Sequence, residues 1–296
     1  MTPPQPGPLL AERRQLINLA YRLLGSLADA EDAVQEAYAR WYAMTADRQE
    51  AIASPGAWLT TVTGRICLDL LGSARVRRER YVGEWIPEPV PEPTEWVNTR
   101  SDPADRVTLD ESVNMAFLVV LESMTPAERV AFILHDVFRY PFADVAEIVG
   151  RTPAACRQLA SSARRRLRTA ERSTSPSPRP AQVVREFKQA WEAGNIDALI
   201  ALLAPDATAT GDGGGLVPAA LRPVSGAEAV ARFLAGRAAL LPGMTFLERT
   251  VNAQPGLVAQ LDGATVAVLA FDVVEDRVRS IWAVLNPDKL RPWATG

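Results

Sequence analysis

Residues 142–168 read FADVAEIVGRTPAACRQLASSARRRLR, and this stretch decides the fold of the middle of the chain. The apolar pattern from Phe142 to Val149 predicts a short helix, and Gly150-Arg151 predicts a turn, because glycine readily adopts the left-handed conformation. Thr152-Pro153 then predicts the cap and first turn of a longer helix, from Ala154 to about Arg168. A short helix, a glycine-containing turn and a longer helix are typical of a helix-turn-helix.

A capping motif lies just before this stretch. Thr125-Pro126-Ala127-Glu128 combines an N-cap threonine, a proline at the first helical position and a glutamate three residues after the cap. It predicts a further helix that passes through Leu134. Residues 106–172 are therefore expected to form one all-α module.

Arginine is concentrated on the longer helix of this motif. The whole chain has 32 basic and 35 acidic residues, and its net charge of -3 by itself argues against a nucleic-acid partner. Residues 151–172, however, contain seven arginines and one acid, whereas residues 1–150 carry a net charge of -8. Such arginines can neutralise phosphates, and short polar side chains among them can reach base edges. The alternative is a solvated basic face without a partner. The residues expected at a nucleic-acid interface are Thr152, Arg157, Gln158, Ser161, Arg164, Arg165 and Arg168.

Residues 8–82 also show helical periodicity. Apolar residues recur at helical spacing from Leu16 to Leu24, and Gly25 can end that helix in a left-handed cap. Asp29 is expected to cap a second helix. The start of this helix is acidic, which complements a helix dipole but also suits a protein-docking face. Its charged and polar residues are Asp29, Glu31, Asp32, Gln35, Glu36 and Arg40.

A third helix is predicted to begin at Ser54-Pro55 and to end in a basic cluster. Arginines there also complement the helix C-terminus, so the cluster alone is weak evidence of a binding site. Together with Trp58 and Tyr81, it suits an unstacked or single-stranded nucleic acid. The cluster comprises Arg75, Arg77, Arg78 and Arg80, with Arg65 and Asp69 earlier on the helix.

Two proline-rich stretches divide the chain into three modules. Residues 83–105 include WIPEPVPEPTE, whose prolines exclude a helix or a central strand, and residues 173–180 form a Ser/Pro linker. Residues 181–296 predict two helices, a strand, a capping box at Ser225-Gly226-Ala227-Glu228, and an antiparallel meander with a hairpin turn at Asp262-Gly263. The predicted fold class is multidomain, with two all-α modules followed by an α+β domain.

The remaining composition excludes several classes of protein. Cys67 and Cys156 stand far apart without a Cys/His cluster, so neither a disulfide framework nor a zinc site is expected. The single histidine, His135, lies outside the α+β domain, which excludes a histidine triad there. The chain shows no run of apolar residues long enough to cross a bilayer and no signal-peptide pattern, so we expect a cytoplasmic protein.

The order of these motifs resembles a known family. Residues 29–41, DAEDAVQEAYARW, resemble the segment of extracytoplasmic-function (ECF) sigma factors, in the sigma-70 family, that docks on RNA polymerase. Trp58 to Arg80 resembles their minus-ten-reading helix, and Thr125 to Arg168 resembles their minus-thirty-five-reading domain. YVGEWIPEP at 81–89, DGGG at 212–215 and the helix-plus-meander after it resemble the SigJ type, which carries a fused SnoaL-like domain.

This resemblance implies a sigma2 helical bundle (8–82), a sigma4 helix-turn-helix (106–172) and a SnoaL-like (NTF2-like) cone (181–296). The protein would bind bacterial core RNA polymerase, at the β′ clamp helices and the β flap, and direct it to specific promoter DNA. No cofactor, metal or catalytic residue is implied. The SnoaL-like domain would contact and modulate the sigma domains of its own chain, so no dedicated anti-sigma factor is implied.

The resemblance also assigns roles to residues. The Asp47–Ala57 loop would help capture melted bases, and the Pro/Glu linker would thread toward the RNA path. Leu216 stands where the family's glycine motif usually continues with lysine, which points to altered internal regulation. Core-polymerase binding is implied for Asp29, Asp32, Gln35, Glu36, Arg40 and Trp41. Minus-ten binding is implied for Trp58, Arg65, Asp69, Arg75, Arg77, Arg78 and Arg80, and minus-thirty-five binding for the seven residues from Thr152 to Arg168 given above. Regulation is implied for Trp85, Pro87, Glu88, Pro89, Asp212, Gly213, Gly214 and Gly215.

Two other functions stay open at this level. A SnoaL-like fold could be an enzyme that uses carboxylates, or it could bind a small apolar ligand beside Trp191 and Trp282. The candidate carboxylates are Asp206, Asp212, Asp262, Asp272 and Asp276. A helix-turn-helix repressor with a ligand-sensing domain would explain the second and third modules, but it leaves the first module without a purpose.

Overall fold

The computed structural model describes residues 7–78, 81–91, 113–171 and 179–294. These residues form two compact units. We call residues 7–78 and 120–170 the helical unit, and residues 81–91, 113–119 and 179–294 the sheet unit. Residues 81–91, which we call the strap, belong to the sheet unit, although most of them were predicted to be a linker. Arg80, residues 92–105 of the predicted linker and residues 173–178 lie outside the described residues, as do the side chains of Arg75, Arg77 and Arg78.

The N-terminal part of the helical unit consists of α1 (Gly7–Leu24), α2 (Leu27–Tyr42), α3 (Ala46–Glu50) and α4 (Pro55–Arg78). Gly25 ends α1 as predicted, with φ of +69° and a 2.7 Å hydrogen bond from its N to the Tyr21 carbonyl oxygen. Ser26, and not Asp29 as predicted, caps α2, because its Oγ accepts from the backbone N of Asp29 at 3.2 Å. Helix α3 occupies part of the predicted Asp47–Ala57 loop.

The rest of the helical unit begins in α5 (Met115–Glu122), followed by α6 (Pro126–Phe132), a π-turn (Ile133–Val137), α7 (Phe142–Val149) and α8 (Pro153–Glu171). The predicted capping box is present: Thr125 N donates to Glu128 Oε2 at 2.9 Å, and Glu128 N donates to Thr125 Oγ1 at 3.3 Å. Gly150 joins α7 to α8 with φ of +67°. Helix α8 buries a stripe at helical spacing, so the helix-turn-helix is confirmed. The stripe is Cys156, Ala160, Ala163 and Leu167.

The sheet unit contains helices α9 (Pro180–Glu192), α10 (Ile196–Leu202) and α11 (Ala227–Leu240) and a six-stranded sheet. The strands are β1 (Leu203–Asp212), β2 (Val224–Ser225), β3 (Thr245–Val251), β4 (Gln254–Leu261), β5 (Ala264–Val274) and β6 (Arg277–Val284). Their order is β2-β1-β6-β5-β4-β3, with β1 parallel to β6 and every other pair antiparallel. The meander and the Asp262-Gly263 turn are as predicted. Ser225 pairs with Thr208 in the sheet, and α11 begins at Ala227, so Gly226 and not Ser225 directly precedes the helix.

The two faces of this sheet carry separate cores. One face packs against α9, α10 and α11 through a cluster that includes Phe187, Trp191 and Phe246. The other face carries Val258, Val268, Ala270, Trp282 and Val284. This second core is completed from outside the 181–296 module by Ile86 of the strap and Met115 of α5, which are 1% and 3% exposed. The α+β domain therefore depends on chain segments that the sequence assigned to the linker and to the sigma4 module.

Candidate functional site

The exposed face of α2 carries most of the residues expected to bind polymerase. Asp32, Gln35, Glu36 and Arg40 are exposed, and Arg40 Nε donates to Glu36 Oε1 at 2.9 Å, while Asp29 is half-buried. Trp41 differs from its prediction. It is only 9% exposed, and its ring centroid lies 5.3 Å from that of Trp58. Trp41 therefore supports the packing of α2 on α4 and does not form part of an exposed docking face.

Helix α4, the predicted minus-ten helix, packs against α7 within the helical unit. Arg65 Nη2 donates to the Glu147 carbonyl oxygen at 3.1 Å and lies 3.4 Å from Glu147 Oε1. Thr60 Oγ1 and Tyr140 Oη are hydrogen-bonded at 3.1 Å. Asp69 is exposed. Arg65 is thus engaged by the helix-turn-helix, which sequence spacing along α4 alone could not show.

A buried arginine ties α6 to the ends of α1 and α5. Arg129 is 2% exposed; its Nη1 donates to the Leu23 carbonyl oxygen at 2.9 Å and to Glu122 Oε1 at 2.7 Å. Its Nη2 donates to the Leu121 carbonyl oxygen at 2.6 Å. Burial lowers the pKa of Arg129 to about 9, which still leaves the guanidinium protonated at neutral pH.

We expect Gly64→Ala to weaken the packing of α4 on α7. A Cβ at position 64 would lie 2.8 Å from Cγ2 of Ile148, whose β-branched side chain is restricted at χ1. Alanine gains up to about 1 kcal/mol in helix propensity, whereas overpacking costs about 1–3 kcal/mol. Urea denaturation should therefore show a net loss of roughly 1 kcal/mol. In an Ile148→Ala background the same change should be neutral or stabilising, and an equal loss in both backgrounds would contradict the contact.

Helix α8 presents its predicted interface residues in two environments. Thr152, Arg157, Gln158, Ser161, Arg165 and Arg168 are exposed. Arg164, in contrast, is bound within the motif, since its Nε and Nη2 donate to the carboxylate of Asp136 at 2.7 and 3.2 Å. The guanidinium of Arg157 lies 5.5 Å from the Phe142 ring centroid, and the His135 ring stacks on the same ring at 3.7 Å. Phe142 and His135 thus help to orient Arg157 on the exposed face.

A buried polar cluster holds the strap to the sheet. Asp212, at the end of β1, is 0% exposed. Its Oδ1 accepts from Tyr81 Oη at 2.6 Å, and its Oδ2 accepts from Ile86 N at 3.0 Å and from Lys289 Nζ at 2.7 Å. Lys289 also donates to the Ile86 carbonyl oxygen, and Asn286 Nδ2 donates to Tyr81 Oη at 2.9 Å. We call Tyr81, Asp212, Asn286 and Lys289 the latch.

Aromatic rings complete the surroundings of the Lys289 ammonium group. The Nζ atom lies 4.0 Å from the centroid of the Trp85 ring and 5.5 Å from that of Tyr81. Burial, together with the hydrogen bond to Asp212, raises the pKa of Tyr81, so its hydroxyl stays protonated as a donor. Tyr81 therefore serves the latch, and not the nucleic-acid surface suggested for it by the sequence.

The remaining strap residues also lie on the sheet unit. Trp293 Nε1 donates to the Pro89 carbonyl oxygen at 2.8 Å, and Pro91 forms a bridge with Val251 of β3. Glu88 is only 5% exposed. The described part of the predicted Pro/Glu linker is therefore bound to the sheet and does not display Glu88 toward a nucleic-acid path, as the resemblance had implied.

The glycines after Asp212 are needed for close approach. A Cβ on Gly213 would overlap the Val217 carbonyl oxygen, and one on Gly214, with φ of +64°, would overlap the Asn286 amide. The Gly214 N also donates to Asp212 Oδ1 at 3.0 Å. Leu216 is 65% exposed. The positive charge beside Asp212 comes from Lys289, which sequence reasoning missed.

A compositional signal could have pointed to Lys289. The chain has two lysines, Lys188 and Lys289, against 30 arginines. A compact ammonium group with three donors suits a buried site where a carboxylate, a carbonyl oxygen and aromatic rings surround it, so a lysine in an arginine-rich chain is a candidate for such a site.

Several of the residues considered for catalysis or ligand binding have structural partners, whereas Asp206 and Asp262 are exposed. Asp272 accepts from Arg279 Nε at 2.7 Å, and Asp276 accepts from Arg179 Nη2 at 2.6 Å. Trp191 Nε1 donates to the Leu234 carbonyl oxygen at 2.9 Å within the first core. In the part of the chain that the structure describes, no group of three or more His, Cys, Asp or Glu side chains could hold a metal ion. Within the same ranges, no helix combines the length and apolarity needed to span a membrane.

Three family models match this chain. Sigma-70 region 2 matches residues 9–77, sigma-70 region 4 matches residues 114–167, and a SnoaL-like domain matches residues 184–282. With a curated ECF relative 42% identical across 94% of the chain, the chain belongs to the ECF sigma factors. It is an alternative sigma factor, a transcription initiation factor and not an enzyme. Its sigma domains imply core RNA polymerase and promoter DNA as partners.

The matches to known proteins extend over most of each relative's length. The 42% identical protein is the ECF RNA polymerase sigma factor SigJ of Mycobacterium tuberculosis (strain ATCC 25618 / H37Rv), 91% of which is covered. The probable ECF RNA polymerase sigma factor SigI of the same strain is 35% identical over 95% of this chain and 93% of its own. The crystal structure of M. tuberculosis SigJ has a TM-score of 0.78 and 38% identity, over 97% of this chain and 99% of that one.

Proposed function

We propose that the SnoaL-like domain modulates promoter binding by the sigma domains through the strap. The single observation that carries this proposal is the latch, in which a buried Asp212–Lys289 ion pair holds Tyr81 and Ile86. The strap begins at Tyr81, three residues after Arg78, the last residue of α4. Helix α4 is the predicted minus-ten helix. Opening or closing the latch can therefore act directly on the chain where it leaves the minus-ten module.

The sigma domains would act through the surfaces described above. In this proposal Asp32, Gln35, Glu36 and Arg40 of α2 dock on the β′ clamp helices, and the helix-turn-helix module meets the β flap. The minus-ten site comprises Trp58, Arg65, Asp69 and the basic end of α4, which requires Arg65 to leave Glu147. The protein would work in the cytoplasm, and an internal regulator would make a dedicated anti-sigma factor unnecessary.

Reconstituted transcription tests the proposal. The full chain is mixed with sigma-free bacterial core polymerase and a promoter library, and start-site-specific transcripts identify the promoters used. A chain that ends after Arg172 is then compared with the full chain on those promoters. We expect a strong change in transcript level, because the truncation removes Asp212, Lys289 and the sheet. Equal output from both chains would exclude modulation by the SnoaL-like domain.

Single substitutions on α8 should separate base reading from phosphate contact. Arg157→Ala is expected to weaken promoter binding by about 1–3 kcal/mol and to relax sequence preference in the minus-thirty-five element. Arg165→Ala should weaken all sequences similarly and reduce the slope of log K against log salt by about 1. Arg232→Ala is a matched control, since Arg232 pairs with Glu228 on the exposed surface of α11. An unchanged salt slope for Arg165→Ala would contradict its phosphate role.

A further inference from the structure

The side chain of Asn252 contacts both ends of the segment that joins the strap to α5. Its Oδ1 accepts a hydrogen bond from Val90 N at 3.0 Å, and its Nδ2 donates to the Val113 carbonyl oxygen at 2.9 Å. The backbone N of Asn252 also donates to the Val90 carbonyl oxygen at 2.9 Å. Asn252 and Val113 are 0% exposed and Val90 is 1% exposed. One buried carboxamide thus bridges two points between which the sequence has 22 residues.

This bridge limits the separation of the two points. With both hydrogen bonds made, Val90 N and the Val113 carbonyl oxygen lie at most about 8 Å apart. A fully extended chain of the same number of residues could span roughly 70 Å. The neighbouring residues are also anchored, since Pro89 accepts from Trp293 and Met115 lies in the second core. Val90 and Val113, which flank residues 91–112, are therefore fixed together on the sheet unit.

Turn geometry alone does not account for the side chain at this position. Asn252 and Ala253 form the β3–β4 hairpin turn with φ of +51° and +61°, and asparagine tolerates this left-handed conformation better than most residues. A turn asparagine needs no buried partners for its amide, however. Both ends of the Asn252 amide are used on residues far away in the sequence.

The chain passes through Val90 after it leaves the minus-ten module, and Val113 directly precedes the residues that match sigma-70 region 4. Each base pair added between two promoter elements moves them about 3.4 Å apart along the duplex. We propose that Asn252 restricts the reach between the minus-ten and minus-thirty-five modules and so makes this sigma factor selective for promoter spacer length. This inference rests on the proposed function, because it requires that the sheet unit stays attached during promoter recognition.

Transcription from promoters of graded spacer length tests the inference on the full chain with core polymerase. A promoter found in the library is rebuilt with its spacer shortened and lengthened in single base-pair steps. The wild-type chain should lose about tenfold in transcript two base pairs from its optimum, whereas Asn252→Gly should lose no more than about threefold. Glycine keeps the left-handed turn and removes only the carboxamide. Asn252→Asp keeps the acceptor for Val90 N but places a buried carboxylate oxygen against the Val113 carbonyl oxygen, so its profile should also broaden.

Asp262→Gly provides a matched control, because Asp262 occupies the corresponding hairpin turn between β4 and β5 with φ of +51°. Its spacer profile should equal that of the wild-type chain. An independent measurement without polymerase is limited trypsin digestion at Arg100 and Arg106, which lie between Val90 and Val113 in the sequence. Cleavage there should be about tenfold faster in Asn252→Gly than in the wild-type chain. Cleavage should also be faster in Asn252→Asp, which serves as the second variant if Asn252→Gly does not fold.

The outcomes distinguish a failure of the spacing role from a failure of the bridge or of the proposed function. A spacer profile that stays narrow in the Asn252 variants while trypsin cleavage accelerates would overturn the spacing role. Unchanged cleavage would overturn the bridge itself. A wild-type chain that gives no specific transcript from any promoter would overturn the proposed function, and the inference with it.

Discussion

Lys289→Met is expected to destabilise the sheet unit by about 3–5 kcal/mol and to free the strap. The substitution keeps much of the side-chain volume but removes the ammonium group that lies 2.7 Å from Asp212 Oδ2. Because Asp212 is fully buried, its carboxylate would lose its counter-charge in a place that water does not reach. Urea denaturation of the full chain measures the free energy of unfolding. Transcription assays on the same variant report whether a freed strap changes promoter use.

The chain offers a matched control in its other lysine. Lys188 Nζ lies 3.8 Å from Glu248 Oε1, in a pair whose side chains are 23% and 38% exposed. Lys188→Met should therefore change the free energy of unfolding by no more than about 0.5 kcal/mol. The double variant Asp212→Asn with Lys289→Met should be more stable than Lys289→Met alone, since no unpaired charge remains. Equal losses for the two lysine variants would contradict a buried latch.

Arg129→Met is expected to destabilise the helical unit by about 3–5 kcal/mol. It removes the guanidinium that lies 2.7 Å from Glu122 Oε1, and it removes the donors that the carbonyl oxygens of Leu23 and Leu121 have at 2.9 and 2.6 Å. The measurement is the free energy of unfolding from urea denaturation. Arg166→Met is the control, because Arg166 is 46% exposed and lies 3.8 Å from Glu128, which predicts a change below about 1 kcal/mol.

A rescue variant separates the lost charge pair from a general packing defect. When Glu122→Leu is added to Arg129→Met, the partly buried carboxylate is removed and part of the loss should be recovered. The recovery should be absent when Glu122→Leu is added to the Arg166→Met control. A double variant no more stable than Arg129→Met would show that the carbonyl contacts, and not the ion pair, dominate.

Local signals predicted the elements of the fold well. The helix ends at Gly25, at the Thr125–Glu128 capping box and at Gly150 depend on backbone groups within four residues. Their positions can therefore be predicted from the local sequence. The cap of α2 was assigned to Asp29 instead of Ser26 because both residue types accept from a helix N-terminus. The strap was predicted as a linker because its prolines fix local geometry and say nothing of what it packs against.

Prediction of the candidate site was limited for a related reason. Spacing along α8 placed its arginines on one helix, but the partner of Arg164, Asp136, lies on the preceding π-turn. Arg65 was likewise assigned from α4 alone, although Glu147 binds it from α7. Lys289 escaped detection because its partners, Asp212 and Ile86, lie 77 and 203 residues away in the sequence. Such pairings depend on tertiary contacts that one sequence does not contain.

The second core of the sheet unit has a consequence for how such a chain can be rearranged. Ile86 and Met115 cover Val258, Val268 and Trp282, yet Ile86 comes from the predicted linker and Met115 from the start of the sigma4 module. A gene exchange that joined residues 181–296 to another sigma factor would leave this apolar face uncovered and prone to aggregation. The strap, α5 and the sheet must therefore be inherited together. Recombination at the Ser/Pro linker alone should yield poorly folded hybrids.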